Sequence, residues 1–550
     1  MKPEQDEGLR NSTATGAMGR SLAGCDCNSA LRHAALSFAV RRASSTALIR
    51  ATQLLVASNI LLASCAWANL QPVTFNVNDN RDTVDLNAGD GLCLTVNGTC
   101  TLRAAVMAAN HSASSVQINL PAGVYTLSAP SGSNGDDTGD LNLVSVLNSP
   151  NVYIVGAGAA TTIIDGNLTD RVFYIETDRT VSISGVTLRK GETFSSGGAI
   201  YNLGTLALVD VTMLSNSAGF GGGLFNNGIA SVTRVAFTRN AATYGGGGIY
   251  NFATLTIEES SFDSNNADTG AGLANFSSAV ANLSHVTLST NKATGYGGGV
   301  YNGAQLTITD STLSGNEAVD EGGGLYNSGG SALEIDRSTI MGGKALKGAG
   351  IYNSGGMWVL NTTISQNTST TFGGGIGNEG AMNVYNSTIA YNTAGFGSGL
   401  AGYGGGVANT GTFNVLNSIV AANYSPAQGF YDDCQGTLNS YGVNRFLAGL
   451  GGSTAQCTVV QIGTGNHNGL VSLLELGTLK DNGGPTRTIA LSSLFNTDVI
   501  DKADTVLGCI DQNSYLLTTD QRGRPRISGA SCDIGAYEYD AGDIFINGFQ

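Results

Sequence analysis

The sequence predicts an all-β chain folded as a right-handed parallel β-helix, with an amino-terminal capping helix and a disulfide-stapled carboxyl-terminal region. Three observations favour this fold. A unit of about 25 residues recurs along the chain, short segments in it alternate apolar and polar residues, and glycine and asparagine separate those segments at fixed places. With 78 glycines and 12% charged residues, the chain is too apolar for disorder and lacks the strict glycine period of collagen.

The recurring unit is clearest in "GGGVYNGAQLTITDSTLSGNEA", which starts at Gly297 and has close copies at Gly246 and Gly373. Each copy has a glycine run, an aliphatic residue, often a tyrosine, and then asparagine. If the copies stack in register, the asparagines are placed to hydrogen-bond one another as a structural ladder. The ladder positions are Asn202, Asn226, Asn251, Asn275, Asn302, Asn327, Asn353, Asn378 and Asn409.

The segments after each ladder asparagine predict strands with one buried face. "LTITDSTL" and "LTIEESSF" alternate with period two, which gives one apolar face per strand. We expect three short strands and three corners per coil, with coils about 4.8 Å apart. A second corner follows each ladder asparagine, at Asn216, Asn240, Asn265, Asn291, Asn316, Gly343, Asn367, Asn392 and Asn423.

The region before the repeats predicts four or five less regular coils and a cap. "VQINLPAGVYTL", "NVYIVGAG", "TTIIDG", "RVFYIE" and "VSISGVTL" have the composition of strands. "TLRAAVMAANH", residues 101–111, predicts a helix with Leu102, Val106 and Ala109 on one face, placed to cover the open end of the stack. We therefore expect a cap and first coil at 69–130, early coils at 131–196 and the nine repeats at 197–425.

The first 68 residues predict an export signal. Basic residues precede a short apolar stretch from Leu54 to Ala66, followed by the small-x-small sequence Ala66-Trp67-Ala68. The stretch is too short for a membrane-spanning helix. Two alternatives stay open: cleavage after Ala68, or lipidation of Cys65 within Leu62-Ala63-Ser64-Cys65. Met18 is an alternative start.

Six cysteines remain after such a cleavage, and an even count in an exported chain predicts disulfides. Six cysteines allow fifteen pairings. Sequence proximity favours the pairs Cys93–Cys100, Cys434–Cys457 and Cys509–Cys532. These staples lie at the two ends of the chain, so the repeats between them must be held by packing and hydrogen bonds.

Several motifs resemble known domains of bacterial surface proteins. "GDGLCLTVNGTCTLRAAVMAAN" is similar to the CSLREA domain, and the nine repeats resemble those of polymorphic outer membrane proteins. "DDCQGTLNSYGVN", "LKDNGGPTRTIAL", "DQRGRPR" and "CDIGAYE" place a region similar to the choice-of-anchor Q domain at 426–540, before a short tail at 541–550 that resembles a sorting signal. The resemblance implies a secreted or surface-associated, adhesin-like β-helix, but it implies no particular ligand.

The charge of the chain restricts its partners. The net charge of −15 disfavours nucleic acid, because an acidic surface repels phosphate. We expect a polysaccharide or surface-protein partner and no transmembrane segment in the mature chain.

No cluster of catalytic residues is apparent in the sequence, although pectate-lyase-like solenoids also include polysaccharide enzymes. Asp136, Asp137 and Asp140 have calcium-compatible spacing, but they match no strict calcium-loop pattern and a polar loop accounts for them better. We therefore expect no catalytic residue, no metal and no cofactor. The nearest approach to a charged stripe is the corner column Asp210, Arg234, Glu259, Ser284, Asp310, Asp336, Asn361, Asn386 and Asn417.

One column does suggest binding. In the glycine-aliphatic-x-asparagine unit, the residue x is expected to point outward when its neighbours point inward. The aromatic members of this column are Tyr201, Phe225, Tyr250, Tyr301, Tyr326 and Tyr352. An exposed aromatic ladder would serve a polysaccharide or protein partner; alternatively the rings stack on one another, or the carboxyl-terminal region covers them.

These observations predict an adhesin-like binding protein without catalysis. Two alternatives stay open. A polysaccharide lyase or hydrolase would need acids or a calcium site clustered on one face, and a structural spacer would have its faces covered by its own tail.

Overall fold

The computed structural model describes residues 72–130, 138–144, 150–396, 402–426, 430–447, 457–462, 469–471, 476–491, 498–504 and 507–540. The predicted export signal, the tail at 541–550, Asp136 and Asp137 lie outside the described residues. In the described part of the chain, no helix is long and apolar enough to cross a membrane.

The described chain winds as a right-handed parallel β-helix, as predicted. Each coil of the repeat region contributes strands to four sheets. We number the sheets 1 to 4 in the order in which their strands follow one another within a single repeat. Sheets 1, 2 and 3 were expected. Sheet 4 is an addition, formed by short segments between the second corner and the next glycine run, and its smallest strands have only two residues.

Sheets 1 and 2 receive the strand that ends at each ladder asparagine and the longer strand that follows it. Sheet 1 contains Leu141–Leu143, Phe173–Ile175, Ile200–Asn202, Leu224–Asn226, Ile249–Asn251, Leu273–Asn275, Val300–Asn302, Leu325–Asn327, Ile351–Asn353, Ile376–Asn378 and Val407–Asn409. Sheet 2 contains Val73–Asn76, Val116–Leu120, Val152–Gly156, Thr180–Ser184, Thr205–Val209, Ile229–Thr233, Thr254–Glu258, Val280–Ser284, Gln305–Thr309, Ala332–Asp336, Gly356–Leu360, Ala381–Tyr385, Thr412–Leu416, Cys434–Tyr441 and Cys457–Ile462.

Sheets 3 and 4 complete the coil. Sheet 3 contains Gly123–Thr126, Thr162–Asp165, Thr187–Arg189, Thr212–Leu214, Ala236–Thr238, Ser261–Asp263, Thr287–Ser289, Thr312–Ser314, Thr339–Met341, Thr363–Ser365, Thr388–Ala390, Ile419–Ala421, Arg445–Leu447 and Gly469–Val471. Sheet 4 contains Ser217–Phe220, Ala241–Gly245, Asn266–Ala267, Lys292–Ala293, Glu317–Ala318, Lys344–Lys347, Thr368–Phe372, Thr393–Ala394, Tyr424–Ser425 and Phe430–Tyr431. Its last two strands pair antiparallel.

The ladder asparagines are buried and bonded in sequence order. From Asn202 to Asn409, each Nδ2 donates to Oδ1 of the asparagine in the next coil, over 2.7–2.9 Å. The ladder ends where Asn409 donates to the carbonyl of Thr437. Because a buried amide without a partner is costly, this row fixes the register of every coil.

The second-corner asparagines form a parallel row that is interrupted once. Asn216 to Asn316 are bonded over 2.9–3.1 Å, and Asn367 to Asn423 over 2.9 Å. Gly343 supplies no side chain, although its backbone N–H donates to Asn367. The row ends on the Asp433 carboxylate, which accepts from Asn423 over 3.0 Å.

The glycine run is explained by two separate constraints, seen in the coil that starts at Gly297. Gly297 has φ +66°, a conformation in which a side chain is strained. A Cβ at Gly298 would lie only 2.4 Å from the carbonyl oxygen of Glu317. The backbones of neighbouring coils therefore approach too closely here for any other residue.

The predicted capping helix is present as α1, Leu102–Asn110. Leu102, Val106 and Ala109 are buried, as expected. Thr101 caps the helix by accepting a hydrogen bond from Ala104 N. Arg103, which the apolar pattern does not single out, is fully buried and forms an ion pair with Asp82 over 2.6 Å.

All three predicted disulfides are present, Cys93–Cys100, Cys434–Cys457 and Cys509–Cys532. The first precedes α1. The second joins the last two strands of sheet 2, and the third lies in the segment 476–540, which packs against the outside of the helix and includes the antiparallel strands Leu476–Lys480 and Thr488–Leu491.

Gln521 is the centre of the contact between segment 476–540 and the helix. Its side chain is fully buried, and Nε2 lies 2.9 Å from the Ser338 carbonyl and 2.9 Å from Thr339 Oγ1. Its Oε1 accepts from Thr363 Oγ1 over 2.6 Å. Segment 476–540 is therefore docked on sheet 3 and the turns beside it.

Replacing Asn302 by alanine should destabilise the helix by roughly 2–4 kcal/mol, because it leaves the amides of Asn275 and Asn327 short of a partner in the interior. The free energy of unfolding, measured by urea titration and circular dichroism, gives the value. Asn282→Ala removes an exposed asparagine of sheet 2 and should change the free energy by less than about 0.5 kcal/mol. Equal effects would contradict the ladder's role.

Buried carboxyl groups should make the protein more stable in mild acid. Burial raises the pKa of Asp140, Asp336 and Asp533 to about 6, and burial with the nearby Asp533 charge raises the pKa of Glu538 to about 7. Folding favours the protonated form of each group, so its stabilisation is full below the unfolded pKa, near 4, and is lost as pH rises through 6–7.

We therefore expect a higher Tm at pH 5.5 than at pH 8, measured in matched ionic strength. Glu538→Gln removes one of these titrating groups, so the Tm of this variant should fall less steeply as the pH rises. A Tm that rises between pH 5.5 and pH 8 would contradict the assignment. Carboxyls whose pKa is lowered, such as Asp79 beside Arg81, titrate in stronger acid and do not oppose this trend.

Candidate functional site

The aromatic column predicted from the sequence lies on sheet 1. Tyr201, Phe225 and Tyr250 pair in register on adjacent strands, and Tyr301, Tyr326 and Tyr352 do the same further along. Ala274 occupies the position between the two groups. Sheet 1 therefore brings all six predicted residues into one line.

Two further rings belong to this line and were missed in the sequence. Tyr174 precedes Tyr201, in an early strand that ends in isoleucine instead of asparagine. Phe276, two residues after Ala274, fills the gap, with its ring centroid 5.0 Å from Tyr250 and 4.6 Å from Tyr301. We call the eight residues the ring stack: Tyr174, Tyr201, Phe225, Tyr250, Phe276, Tyr301, Tyr326 and Tyr352.

The rings of the stack face one another along the helix axis. Neighbouring centroids are 4.6–5.6 Å apart and the ring planes differ by 5–19°. Each interior ring thus has both faces against other rings, and only edges reach the solvent. Since ligands stack on ring faces, the stack by itself is not a platform for a sugar.

The expectation that all six residues are exposed is wrong for two of them. Tyr250 is 6% exposed and Tyr352 is 3% exposed, while the other four are half-buried. Burial raises the pKa of Tyr250 to about 12. Burial, followed by a hydrogen bond to Glu379, raises the pKa of Tyr352 further still.

The exposed rings belong to a second column, at the residue just before each glycine run. It contains Tyr244, 58% exposed, and Tyr296, 39% exposed. The ring centroid of Phe220 lies 5.1 Å from that of Tyr250, and the ring centroid of Tyr296 lies 5.1 Å from that of Tyr326. This column therefore adjoins the ring stack. We call it the outer column: Phe220, Tyr244, Thr269, Tyr296, Glu321, Lys347, Phe372 and Tyr403, where Tyr244 stands one residue before Gly245, the register partner of Phe220 and Thr269.

The outer column was available in the sequence. An aromatic residue precedes the glycine run in several repeats, as in "FGGG" at Phe220 and "YGGG" at Tyr296. Two coils carry Glu321 and Lys347 there instead, and these form an ion pair over 2.9 Å. The ring stack and the outer column together make up what we call the aromatic face.

A cavity of about 280 Å³ lies at the end of the ring stack. Gly377 and Ala408 follow Tyr352 in the same column of sheet 1, so no ring occupies the next positions. Tyr352, Phe372, Lys347, Glu379 and Gln435 are among the residues that line the space.

The corner column predicted from the sequence needs two corrections. The residue with positive φ at this corner is His285 instead of Ser284, and Arg337 instead of Asp336. In both coils the turn after the ladder asparagine is two residues longer than the turn after Asn251, which shifts the count.

The charges of the corrected column pair with one another. Arg234 lies 2.7 Å from Asp210 and 3.9 Å from Glu259, and Arg337 lies 2.8 Å from Asp310. The pairs of Arg234 are exposed and contribute little to stability, whereas the pair of Arg337 with Asp310 is half-buried.

The last three residues of that column hold the carboxyl-terminal segment. Asn361 Nδ2 donates to the Thr519 carbonyl, Asn386 to Ile510 and Asn417 to Gly508, over 2.8–3.4 Å. The change from charged residues to asparagine along the column therefore marks the coils on which segment 476–540 docks.

The remaining acidic candidates have partners in the fold. Asp140 forms an ion pair with Arg171 over 2.7 Å. Asp432 accepts from Gly404 N and Asp433 from Asn423, so both serve the turn that ends the second asparagine row. Among the described residues, no group of three or more His, Cys, Asp or Glu side chains is arranged to hold a metal ion.

Comparison with solved structures finds other β-helices. The structures include a pectate lyase, Pel9A, with 14% identity, 86% of this chain and 98% of that chain covered, and a TM-score of 0.37. The A-module of Azotobacter vinelandii mannuronan C-5 epimerase AlgE6 has 14% identity, coverages of 72% and 98%, and a TM-score of 0.35. The AlgE4 A-module has 16% identity, coverages of 69% and 97%, and a TM-score of 0.31. Similarity at this level says nothing about activity.

No family model matches the chain, and no curated protein matches it. The resemblance to the CSLREA, polymorphic outer membrane protein and choice-of-anchor Q domains therefore stays a prediction.

Replacing Phe276 by alanine should interrupt the ring stack where Ala274 already lacks a ring. We expect a loss of roughly 2 kcal/mol in the free energy of unfolding, because two ring contacts and a half-buried side chain are removed. Near-ultraviolet circular dichroism should lose intensity as well.

Phe194→Ala provides the control for this change, because Phe194 is 100% exposed. It should leave both the free energy of unfolding and the near-ultraviolet spectrum within error. If Phe276→Ala behaves like the control, the stack does not stabilise the fold.

Proposed function

We propose that this chain is an exported protein, secreted or held at a bacterial cell surface, that binds a neutral polysaccharide on its aromatic face without catalysis. One observation carries the proposal. The exposed rings of the outer column line one side of the helix, and the carboxyl-terminal segment docks elsewhere.

The position of the carboxyl-terminal segment argues against the spacer alternative. Its hydrogen bonds to the helix fall on sheet 3 and its adjoining turns, for example at Thr339, Thr363 and Asn417, and on Glu334 of sheet 2. The ring stack lies on sheet 1 and the outer column at the glycine runs. Exposed aromatic side chains grouped on one face are typical of interaction sites.

The geometry suits an extended chain more than a small ligand. Aromatic residues of the outer column recur at multiples of the coil spacing, about 4.8 Å, with the ion pair Glu321–Lys347 between them. A polysaccharide presents apolar faces and hydroxyl groups at repeated intervals. Exposed rings in one line can contact the apolar faces, and the polar residues between them can hydrogen-bond the hydroxyl groups. The net charge of −15 favours a neutral chain over an acidic one.

The test combines binding with a search for products. The chain from residue 69 is incubated with cellulose, xylan and mannan, and with polygalacturonate and alginate as acidic comparators. The same tubes are assayed for co-sedimentation and for released reducing or unsaturated ends. We expect retention on a neutral polysaccharide with no product.

The variant that separates the outer column from the fold is Tyr244→Ala with Tyr296→Ala. It removes exposed rings while leaving the ring stack in place, and we expect about tenfold weaker binding, which corresponds to ~1.4 kcal/mol. Tyr515→Ala is the matched control, because Tyr515 is an exposed tyrosine of the carboxyl-terminal segment. The pair Tyr301→Ala and Tyr326→Ala is less informative, since it also breaks the stack.

Three results would overturn the proposal. Retention only on polygalacturonate or alginate would contradict the charge argument. Unchanged binding by the double variant would move the site off the aromatic face. Product release that survives repurification would establish the alternative, a polysaccharide lyase or hydrolase.

A further inference from the structure

We propose that the cavity at the end of the ring stack is a subsite for one neutral pyranose unit of the bound chain. The inference rests on the proposed function and deepens it, because it assigns a place and a sugar class to one contact. It is carried by the cavity, its aromatic wall and the polar groups that meet there.

The cavity exists because the column of rings cannot continue. A Cβ at Gly377 would lie 2.9 Å from the Tyr352 ring and 3.3 Å from the Gly348 backbone, so no side chain fits at this position. Ala408, the next residue of the column, has only a methyl group, and Gln435 follows it. The space of about 280 Å³ is therefore open where two rings are missing.

The walls differ from those of the rest of the aromatic face. Tyr352 closes the stack on one side, and Phe372, 37% exposed, adds a second ring from the outer column. Tyr352 is only 3% exposed, so the exposed ring of Phe372 provides the aromatic wall that is suited to the apolar face of a single sugar ring.

Several polar side chains line the cavity. Glu379 lies close enough to the Tyr352 hydroxyl to raise its pKa. Lys347 is held by Glu321 over 2.9 Å, and its Nζ lies 5.8 Å from the Tyr352 ring centroid. Gln435 and Thr410 add an amide and a hydroxyl. These groups provide donors and acceptors for sugar hydroxyls, and the ion pair holds Lys347 in place before a sugar binds.

The charges at the cavity select against an acidic sugar. Glu321 and Glu379 carry two negative charges, and Lys347, already paired with Glu321, carries one positive charge. A uronate carboxylate placed here would meet the carboxylate of Glu379, and like charges close together repel. The site therefore takes a neutral hexose or pentose in its ring form.

The test uses Ala408→Phe, which supplies a ring where the column lacks one and so fills the cavity. Ala332→Phe is the matched control, because it adds the same ring at an exposed position of sheet 2. Binding of tetrasaccharides of β-1,4-linked glucose, xylose and mannose, and of galacturonate, is measured by isothermal titration calorimetry. Polysaccharide co-sedimentation is measured on the same preparations.

We expect a neutral tetrasaccharide to bind the parent protein and the Ala332→Phe control equally. Ala408→Phe should bind it at least tenfold more weakly. Glu379→Gln keeps the shape of the side chain and should weaken binding about fivefold, which keeps the test valid if Ala408→Phe fails to fold. Tetragalacturonate should bind none of the proteins tightly.

The outcomes separate this inference from the proposed function. If the polysaccharide is retained but Ala408→Phe and Glu379→Gln bind the tetrasaccharide as the parent does, the cavity is not a subsite and the proposed function stands. If the parent retains no polysaccharide, both fail. Tight binding of tetragalacturonate would overturn the assignment of a neutral sugar.

Discussion

The structure depends on one constraint, that equivalent residues of successive coils lie directly above one another. Where the residue is a buried asparagine, the constraint becomes a hydrogen bond, because each side chain donates to the same side chain of the next coil as well as to backbone carbonyls. A coil that slipped by one residue would bury unpaired amides in two rows at once. The same register that satisfies the asparagines also aligns the rings of the stack.

Much of the fold follows from the sequence because the constraint repeats. The spacing of the ladder asparagines predicts the coils, and the alternation in segments such as "LTITDSTL" predicts which side chains are buried, for example Leu306 and Ile308. The disulfides follow from proximity along the chain. Each of these features is local or periodic, so a single sequence is enough to reveal it.

Other features needed the structure because they depend on direction or on distant contacts. The alternation of inward-facing and outward-facing residues along a strand predicts that Tyr301 points out of the sheet. It does not predict that the ring of Tyr301 stacks face to face on the ring of Tyr326. Strands of two residues, such as Lys292–Ala293, are too short to show an alternation of apolar and polar residues in the sequence. The role of Gln521 was hidden because its partners, Ser338 and Thr363, are more than a hundred residues away.

The candidate site was found only in part for the same reason. The sequence placed six aromatic residues in one column, and the structure shows that mutual stacking uses their faces. The exposed rings belong to the neighbouring outer column. The cavity is present because Gly377 has no side chain to fill the space. Under the proposed function, stability and recognition fall to adjacent columns of one surface.

The asparagine ladder has a direction, since every bond from Asn202 to Asn409 runs from an amide nitrogen to the oxygen of the following coil. Each coil offers its successor the same amide donor that its predecessor offers it, and offers its predecessor the same oxygen acceptor. Whole coils can therefore be gained or lost by duplication or deletion without leaving a mismatched junction. Length becomes a quantity that evolution can adjust in steps of about 4.8 Å, while the two ends and their disulfides stay as they are.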